Sequence, residues 1–255
     1  MRIDGVVAIV TGGASGLGEA VVREITGRGG KVAILDISDE AGERLVAGLG
    51  GSAAYFHADV ASEDDVARAI ESTIGKFGAI NVVVNSAGIL ASSRTAGKKG
   101  PMDLALFERI IRVNLVGTFN VIRLAAAKMI ANGPDSGGER GVIINTASVA
   151  AFDGQIGQAA YAASKAGIVG LTLPVARDLA DFGIRSVTIA PGIFDTPIMA
   201  SVPEEVRAAL GASVPFPRRM GRPDEFAAMV AHVIENSMLN GETIRLDGAI
   251  RMAPK

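Results

Sequence analysis

Val6-Val7-Ala8-Ile9-Val10-Thr11-Gly12-Gly13-Ala14-Ser15-Gly16-Leu17-Gly18 joins an apolar, β-branched run to a glycine-rich turn and then to the start of a helical period. Hydrophobicity that is continuous rather than alternating predicts a strand covered on both faces. Gly12, Gly16 and Gly18 follow that strand and open a helix over 16–28, where missing side chains let backbone amides approach a pyrophosphate at the positive helix end. The spacing is Gly-x-x-x-Gly-x-Gly rather than Gly-x-Gly-x-x-Gly, and a glycine turn taken alone is also compatible with a purely structural role. Its strand-loop-helix setting favours the nucleotide reading.

The same unit recurs along the chain. Apolar runs at 32–35, 53–56, 82–84, 142–144, 187–189 and 243–246 alternate with helical periods at 39–49, 62–76, 103–131, 158–181 and 223–235. Right-handed crossovers then give an α/β, single-domain, doubly wound Rossmann fold over 1–255, with a mainly parallel seven-stranded sheet. Pro174 falls inside the fifth helix and is expected to bend it or mark an irregular turn. Residues 91–101 and 131–141 read as exposed loops, and no repeat or interdomain linker is visible.

Composition narrows the function. With 255 residues, 49% hydrophobic content and 32 glycines, the chain suits one large domain. A net charge of −2 from 25 basic and 27 acidic residues carries no polyanion-binding signature, so nucleic acid is not expected as the primary partner. The absence of cysteine excludes disulfides and thiol nucleophiles; only His57 and His232 are candidate histidine ligands, and neither has a ligand-spaced partner, so no metal site is expected. The longest uncharged stretch, 77–93, contains Asn and Ser and makes a poor membrane span, so a soluble protein is expected. Residues 1–5 run straight into the first strand pattern, leaving no room for a signal or transit peptide, and a cytoplasmic location is the default.

Further cofactor contacts are expected at strand ends. Asp36, eighteen residues after Gly18, ends the second strand, where a carboxylate accepts hydrogen bonds from an adenosine ribose and repels a 2′-phosphate, which favours NAD over NADP. A helix cap is an equal reading of that residue in isolation, although Asp39 is available for the job. Asp59-Val60 follows the third strand and could reach adenine; Asp59 could equally cap the helix beginning near Ser62. Asn85-Ser86-Ala87-Gly88 follows the fourth strand with small residues where backbone must approach the cofactor or a neighbouring strand. Structural support is at least as good a reading of Asn85. Thr196, after Phe194, could bond a nicotinamide carboxamide or serve as an ordinary turn hydroxyl.

The chemistry is carried by Tyr161 and Lys165, which are four residues apart and so share a helix face, with Ser148 thirteen residues before the tyrosine. Bringing a phenol from about 10 to about 7 requires roughly 4 kcal/mol of selective phenolate stabilisation, part of which a fixed cation one turn away can provide. Ser148 can donate to a carbonyl oxygen while Tyr161 transfers the proton, Lys165 can also bind nicotinamide-ribose hydroxyls, and Asn114 could hold a water behind the lysine. Each residue alone has a plain alternative: packing, a solvated helix charge, a cap, a helix polar residue.

In combination with the glycine loop they resemble the short-chain dehydrogenase/reductase family across essentially the full chain, on Thr11-Gly12 through Gly18, Asn85 to Gly88, Asn114, Ser148, Tyr161 and Lys165. The segments 141–152 and 239–250, with Lys98-Lys99-Gly100, look most like the type 2 3-hydroxyacyl-CoA dehydrogenases within it. The resemblance implies reversible hydride transfer between NAD and a secondary alcohol, such as the 3-hydroxyl of a short or branched acyl-CoA. It implies NAD contacts from Ser15, Leu17, Asp36, Asp59, Val60, Ser86, Phe194 and Thr196, a substrate contact from Gln158 with a helix-start role as the equal alternative, and a homotetramer. Residues 191–217 are expected to form a flexible substrate cover. Lys98 and Lys99 could attract CoA phosphates, with a solvated loop favoured. Asp195 departs from the small neutral residue that close relatives tend to have. A hydroxysteroid or other secondary-alcohol dehydrogenase and a catalytically idle NAD-binding scaffold are the competing readings.

Overall fold

A computed structural model describes residues 1–98, 100–200 and 202–254. Its centre is a seven-stranded, wholly parallel sheet in the order β3-β2-β1-β4-β7-β8-β9. The strands are β1 (Val7–Thr11), β2 (Lys31–Asp36), β3 (Ala53–His57), β4 (Val82–Asn85), β7 (Gly141–Thr146), β8 (Ile184–Pro191) and β9 (Thr243–Leu246). The helices are α1 (Gly16–Gly27), α2 (Asp39–Ala47), α3 (Glu63–Phe77), α4 (Leu104–Ile111), α5 (Thr118–Met129), α6 (Ala159–Leu179), α7 (Pro197–Ala200), α8 (Glu204–Ala212) and α9 (Pro223–Glu235).

The strand sequences read as uniformly apolar because each face has its own cover. Ala8, Val10, Val32, Ile34, Val82, Val84, Val142 and Ile144 join the core beneath α1, α2 and α9. Their alternating neighbours Ile9, Ala33, Leu35, Val83 and Ile143 join the core beneath α3, α5 and α6. Truncating the fully buried Ile143 to alanine should cost about 2–5 kcal/mol.

Local chemistry sets the helix ends. Ser62 Oγ accepts from the Asp65 amide and caps α3, whose far end closes on left-handed Gly78. Asp103 caps α4 through the Ala105 amide, and Pro223 opens α9 while Glu225 accepts from the Arg222 amide.

α6 continues through Pro174, so the proline marks no irregular turn. One expectation is corrected. The segment 91–101 is not wholly a loop, because Ala96–Gly97 (β5) and Gly100–Pro101 (β6) pair as a small antiparallel ribbon; Lys99 lies outside the described residues. The segment 191–217 holds two short helices, α7 and α8, which no sequence pattern marks because each is too short for a sustained period. By length and composition alone, Leu104–Met129 and Ala159–Phe182 are apolar enough to cross a membrane, but here they pack on the sheet as core helices.

Sheet order reverses between β1 and β4, where β2 and β3 lie on one side and β7, β8 and β9 on the other. Side chains and loops at the carboxyl ends of these strands therefore splay apart and leave a crevice.

Candidate active site

That crevice is a cleft of about 730 Å³. Its nucleotide end is shaped by backbone. Gly12 has φ +62°, and a Cβ there would lie 2.8 Å from the Ala87 backbone; a Cβ on Gly18 would lie 2.2 Å from the Gly12 carbonyl oxygen. The turn thus folds onto itself and onto the end of β4, and only glycine permits that closeness. Thr11 Oγ1 ties the two ends together by accepting from the Ser86 and Ala87 amides. The cradle fits a dinucleotide, because Gly12, Ser15, Gly16, Leu17 and Gly18 line the cleft at the amino end of α1 with Asp36, Asp59 and Val60 beside them.

Asp36 closes the strand-end turn as well as lining the cleft. One carboxylate oxygen accepts from the Ala14 amide at 3.1 Å and the other from the Ser38 amide at 3.1 Å. Asp39 meanwhile accepts from Tyr55 and contacts His57. Asp59 accepts from the Ala61 amide in a tight turn and leaves the α3 cap to Ser62. Ser86, Gly88 and Thr196 line the cleft.

Asn85 has a buried side chain that donates across the sheet to Asn145 Oδ1 at 2.9 Å. The side chain thus takes the structural one of its two readings and supports the β4–β7 pairing. Phe194 also lines the cleft, but its ring is buried edge-on against Phe226, with centroids 6.4 Å apart, which leaves mainly its backbone to face a ligand.

At the chemical end, Ser148, Tyr161 and Lys165 converge from the loop after β7 and from α6. Ser148 lies two residues past the strand, not at its end, and its Oγ accepts from the Ala150 amide at 3.1 Å. That bond occupies a lone pair and leaves the hydroxyl proton free to be donated into the cleft, where Ser148 favours the Tyr161 phenolate. The Tyr161 ring is half-buried and opens on the cleft, while desolvation of its hydroxyl pushes the phenol up, offset in part by Ser148. Lys165 is buried; its Nζ donates to the Thr146 carbonyl at 2.8 Å and lies 5.8 Å from the Tyr161 ring centroid. Burial lowers its ammonium to about 8. Desolvation penalises the phenolate and the ammonium separately, so forming both charges together relieves each.

Asn114 is fully buried in a π-helical turn, Arg112–Gly117, between α4 and α5. Its side chain clasps Ile89, accepting from the amide at 2.8 Å and donating to the carbonyl at 3.0 Å, and it also donates to Ser164 Oγ at 3.1 Å. Both amide hydrogens are thus committed to protein partners, while Oδ1 keeps one lone pair for a further donor. Gln158 lines the cleft and also begins α6, its Oε1 accepting from the Gln155 amide at 3.1 Å. Both readings of that residue are present at once.

Asp195 accepts from Arg207 at 2.8 Å, tying the turn after β8 to α8. Sequence reasoning missed Gln155, Met199, Leu210 and Met252, all of which line the cleft, because chain neighbours give no sign of them. It also missed the Thr146 carbonyl that holds Lys165, since a backbone acceptor leaves no mark in residue identity.

The family model for short chain dehydrogenase matches residues 6–207. The chain is 56% identical over 254 residues to "3-hydroxyacyl-CoA dehydrogenase type-2" of Bos taurus, covering 99% of this chain and 97% of that protein. It is 51% identical to the protein of the same name from Drosophila melanogaster, covering 99% and 100%. The crystal structure of 3-hydroxyacyl-CoA dehydrogenase type-2 from Mycobacterium avium superposes with a TM-score of 0.96 at 47% identity, covering 99% of this chain and 98% of that one. A glycine cradle joined to a serine, a tyrosine and a lysine on one cleft, in a chain matched over nearly its whole length by such relatives, makes this protein an oxidoreductase of the short-chain dehydrogenase family, using a nicotinamide cofactor on a small-molecule substrate.

Proposed function

We propose that the protein reversibly oxidises the 3-hydroxyl of a short or branched 3-hydroxyacyl-CoA with NAD. The observation that carries the chemistry is the convergence of Ser148, Tyr161 and Lys165 on one cleft. The names of the full-length relatives support the substrate class. NAD, when bound, supplies a nicotinamide ring that takes up or returns the hydride.

The chain's own residues handle the proton and the oxygen. Tyr161 holds the substrate hydroxyl proton, Ser148 orients the oxygen from the other side, and the Lys165 ammonium makes the phenolate less costly. Asp36 beside the glycine cradle supports NAD over NADP, because a 2′-phosphate would meet a carboxylate already fixed by two backbone amides. α7 and α8, with Met199 and Leu210 in the cleft wall, form the substrate cover. The exposed apolar residues Phe119 and Leu173, with Val116 in the π-helical turn before α5, support a homotetramer assembled through α5 and α6, to be checked by light scattering. Cytoplasmic residence is part of the same proposal and is checked by cell fractionation.

The decisive experiment is NADH formation by the purified protein with (S)-3-hydroxybutanoyl-CoA, in parallel with steroid alcohols and secondary alcohols lacking CoA. Turnover on the CoA ester in preference to the others is expected. Preference for a steroid or simple alcohol would replace the substrate and keep the chemistry, and NAD binding with no turnover at all would leave a binding protein.

A further inference from the structure

The carboxyl-terminal tail follows β9 with no regular structure, yet it is held down over its whole described length. Arg245 pairs with Asp153 at 2.6 Å and with Asp247 at 2.7 Å, lies 5.1 Å from the Phe152 ring centroid, and donates to the Ile250 carbonyl at 3.0 Å. Further on, Gln155 Nε2 donates to the Ala253 carbonyl at 2.9 Å and the Ile156 amide to the Pro254 carbonyl at 3.0 Å. These bonds join the tail to the segment that leads into Tyr161 and the catalytic helix.

Their consequence is a position for one side chain. Met252, half-buried between these anchors, lines the same cleft as Ser148, Tyr161 and Gln158. Pro254, two residues on, lines a separate groove of about 540 Å³, and Gln155 and Gln158 line both spaces. The tail is therefore a partition between the reaction cleft and the side groove. The cleft face of that partition is a methionine, a long unbranched side chain that adapts to the shape of an apolar neighbour.

We propose that Met252 is a specificity-determining residue, the tail-borne wall that limits the length of the apolar chain accepted beside the reacting alcohol. The inference rests on the proposed alcohol oxidation and goes beyond it, since the position lies far in sequence from Ser148, Tyr161 and Lys165. A fixed wall discriminates through the methylenes it excludes, each worth about tenfold or more in kcat/KM. Shortening the wall should admit longer chains and enlarging it should reject them.

The test is kcat/KM for (S)-3-hydroxybutanoyl-CoA and (S)-3-hydroxyoctanoyl-CoA at saturating NAD, with 2-butanol and 2-octanol in parallel, for the wild type, Met252→Ala and Met252→Phe. Met252→Ala is expected to raise the octanoyl-to-butanoyl ratio about tenfold and Met252→Phe to lower it by a similar factor, with the KM for NAD unchanged. Ratios that stay with the wild type in both variants, in whichever series the enzyme accepts, would overturn the inference while leaving the proposed function intact. Turnover of the alkanols alone would overturn the CoA reading, and the alkanol ratio would then test Met252. A wild type idle on both series overturns both.

Discussion

The two ends of the cleft are built on opposite principles. At the nucleotide end the wall is main chain, and the important feature of Gly12 and Gly18 is the side chain they lack. At the chemical end the working parts are side chains drawn wholly or partly out of water, Ser148, Tyr161 and Lys165, the first and last held by backbone partners. The first end fails when an atom is added, the second when one is removed or its charge is changed. Steric fit is set by turn geometry within a few residues, whereas desolvation needs the whole domain around it.

The sharpest way to break this contrast is Tyr161→Phe. Removing one oxygen should lower kcat by about 10³-fold with little change in the Kd for NAD, measured by NADH formation and by titration of the cofactor. Retained turnover would remove the phenol from the chemistry. Losing affinity and turnover together would mean that the two ends are not separable.

Lys165→Met sharpens the electrostatic half. A lysine with an ordinary value of about 10.4, lowered by burial to about 8, costs the folded state about 3 kcal/mol when charged. The cost applies in full below pH 8. As pH rises from about 8 to about 10.4, the folded protein sheds this proton before the unfolded chain does, and the cost fades. Without cofactor, Lys165→Met should therefore be more stable than the wild type at neutral pH, less the hydrogen bond to Thr146, and lose that advantage as pH rises through this window. Urea midpoints measured across the range would show it, and a gap that is constant with pH would contradict the buried-charge account. Turnover should fall in the same variant despite the gain in stability.

Gly18→Ala tests the steric half. The added methyl would overlap the Gly12 carbonyl, forcing a shift that should cost about 1–3 kcal/mol and weaken NAD binding, read by urea unfolding and by cofactor titration. Near-normal affinity would show that the turn has slack that the geometry does not suggest. The smallest effect is expected from Asp36→Asn, which keeps the size and removes the charge. The NAD-to-NADP preference in kcat/KM should drop about tenfold, corresponding to roughly 1.4 kcal/mol, and an unchanged preference would assign cofactor choice to another residue.

Legibility in the sequence follows the same division. The strands were readable because burial on both faces imposes an uninterrupted apolar run, and β9 was expected over the very residues it occupies. Tyr161 and Lys165 were readable because one helical turn relates them, whatever else the fold does. Asn85 stayed ambiguous because its neighbours place it at a strand end near the cofactor, while the partner of its side chain, Asn145, comes from a strand sixty residues away. Pro174 left a bend and an irregular turn both open, and only packing on the sheet decided that the helix carries on past it.

The sequence by itself determined the parallel α/β architecture, the glycine cradle and the spacing of the catalytic pair, since all three depend on local periodicity or on the absence of a Cβ. Tertiary structure decided the rest: which amides fix Asp36, how Asn114 is committed to Ile89 and Ser164, how deeply Lys165 is desolvated, and that Met252 faces the cleft. Those properties belong to contacts between distant segments, and pairing, burial and dielectric environment come into existence only when the chain closes around them.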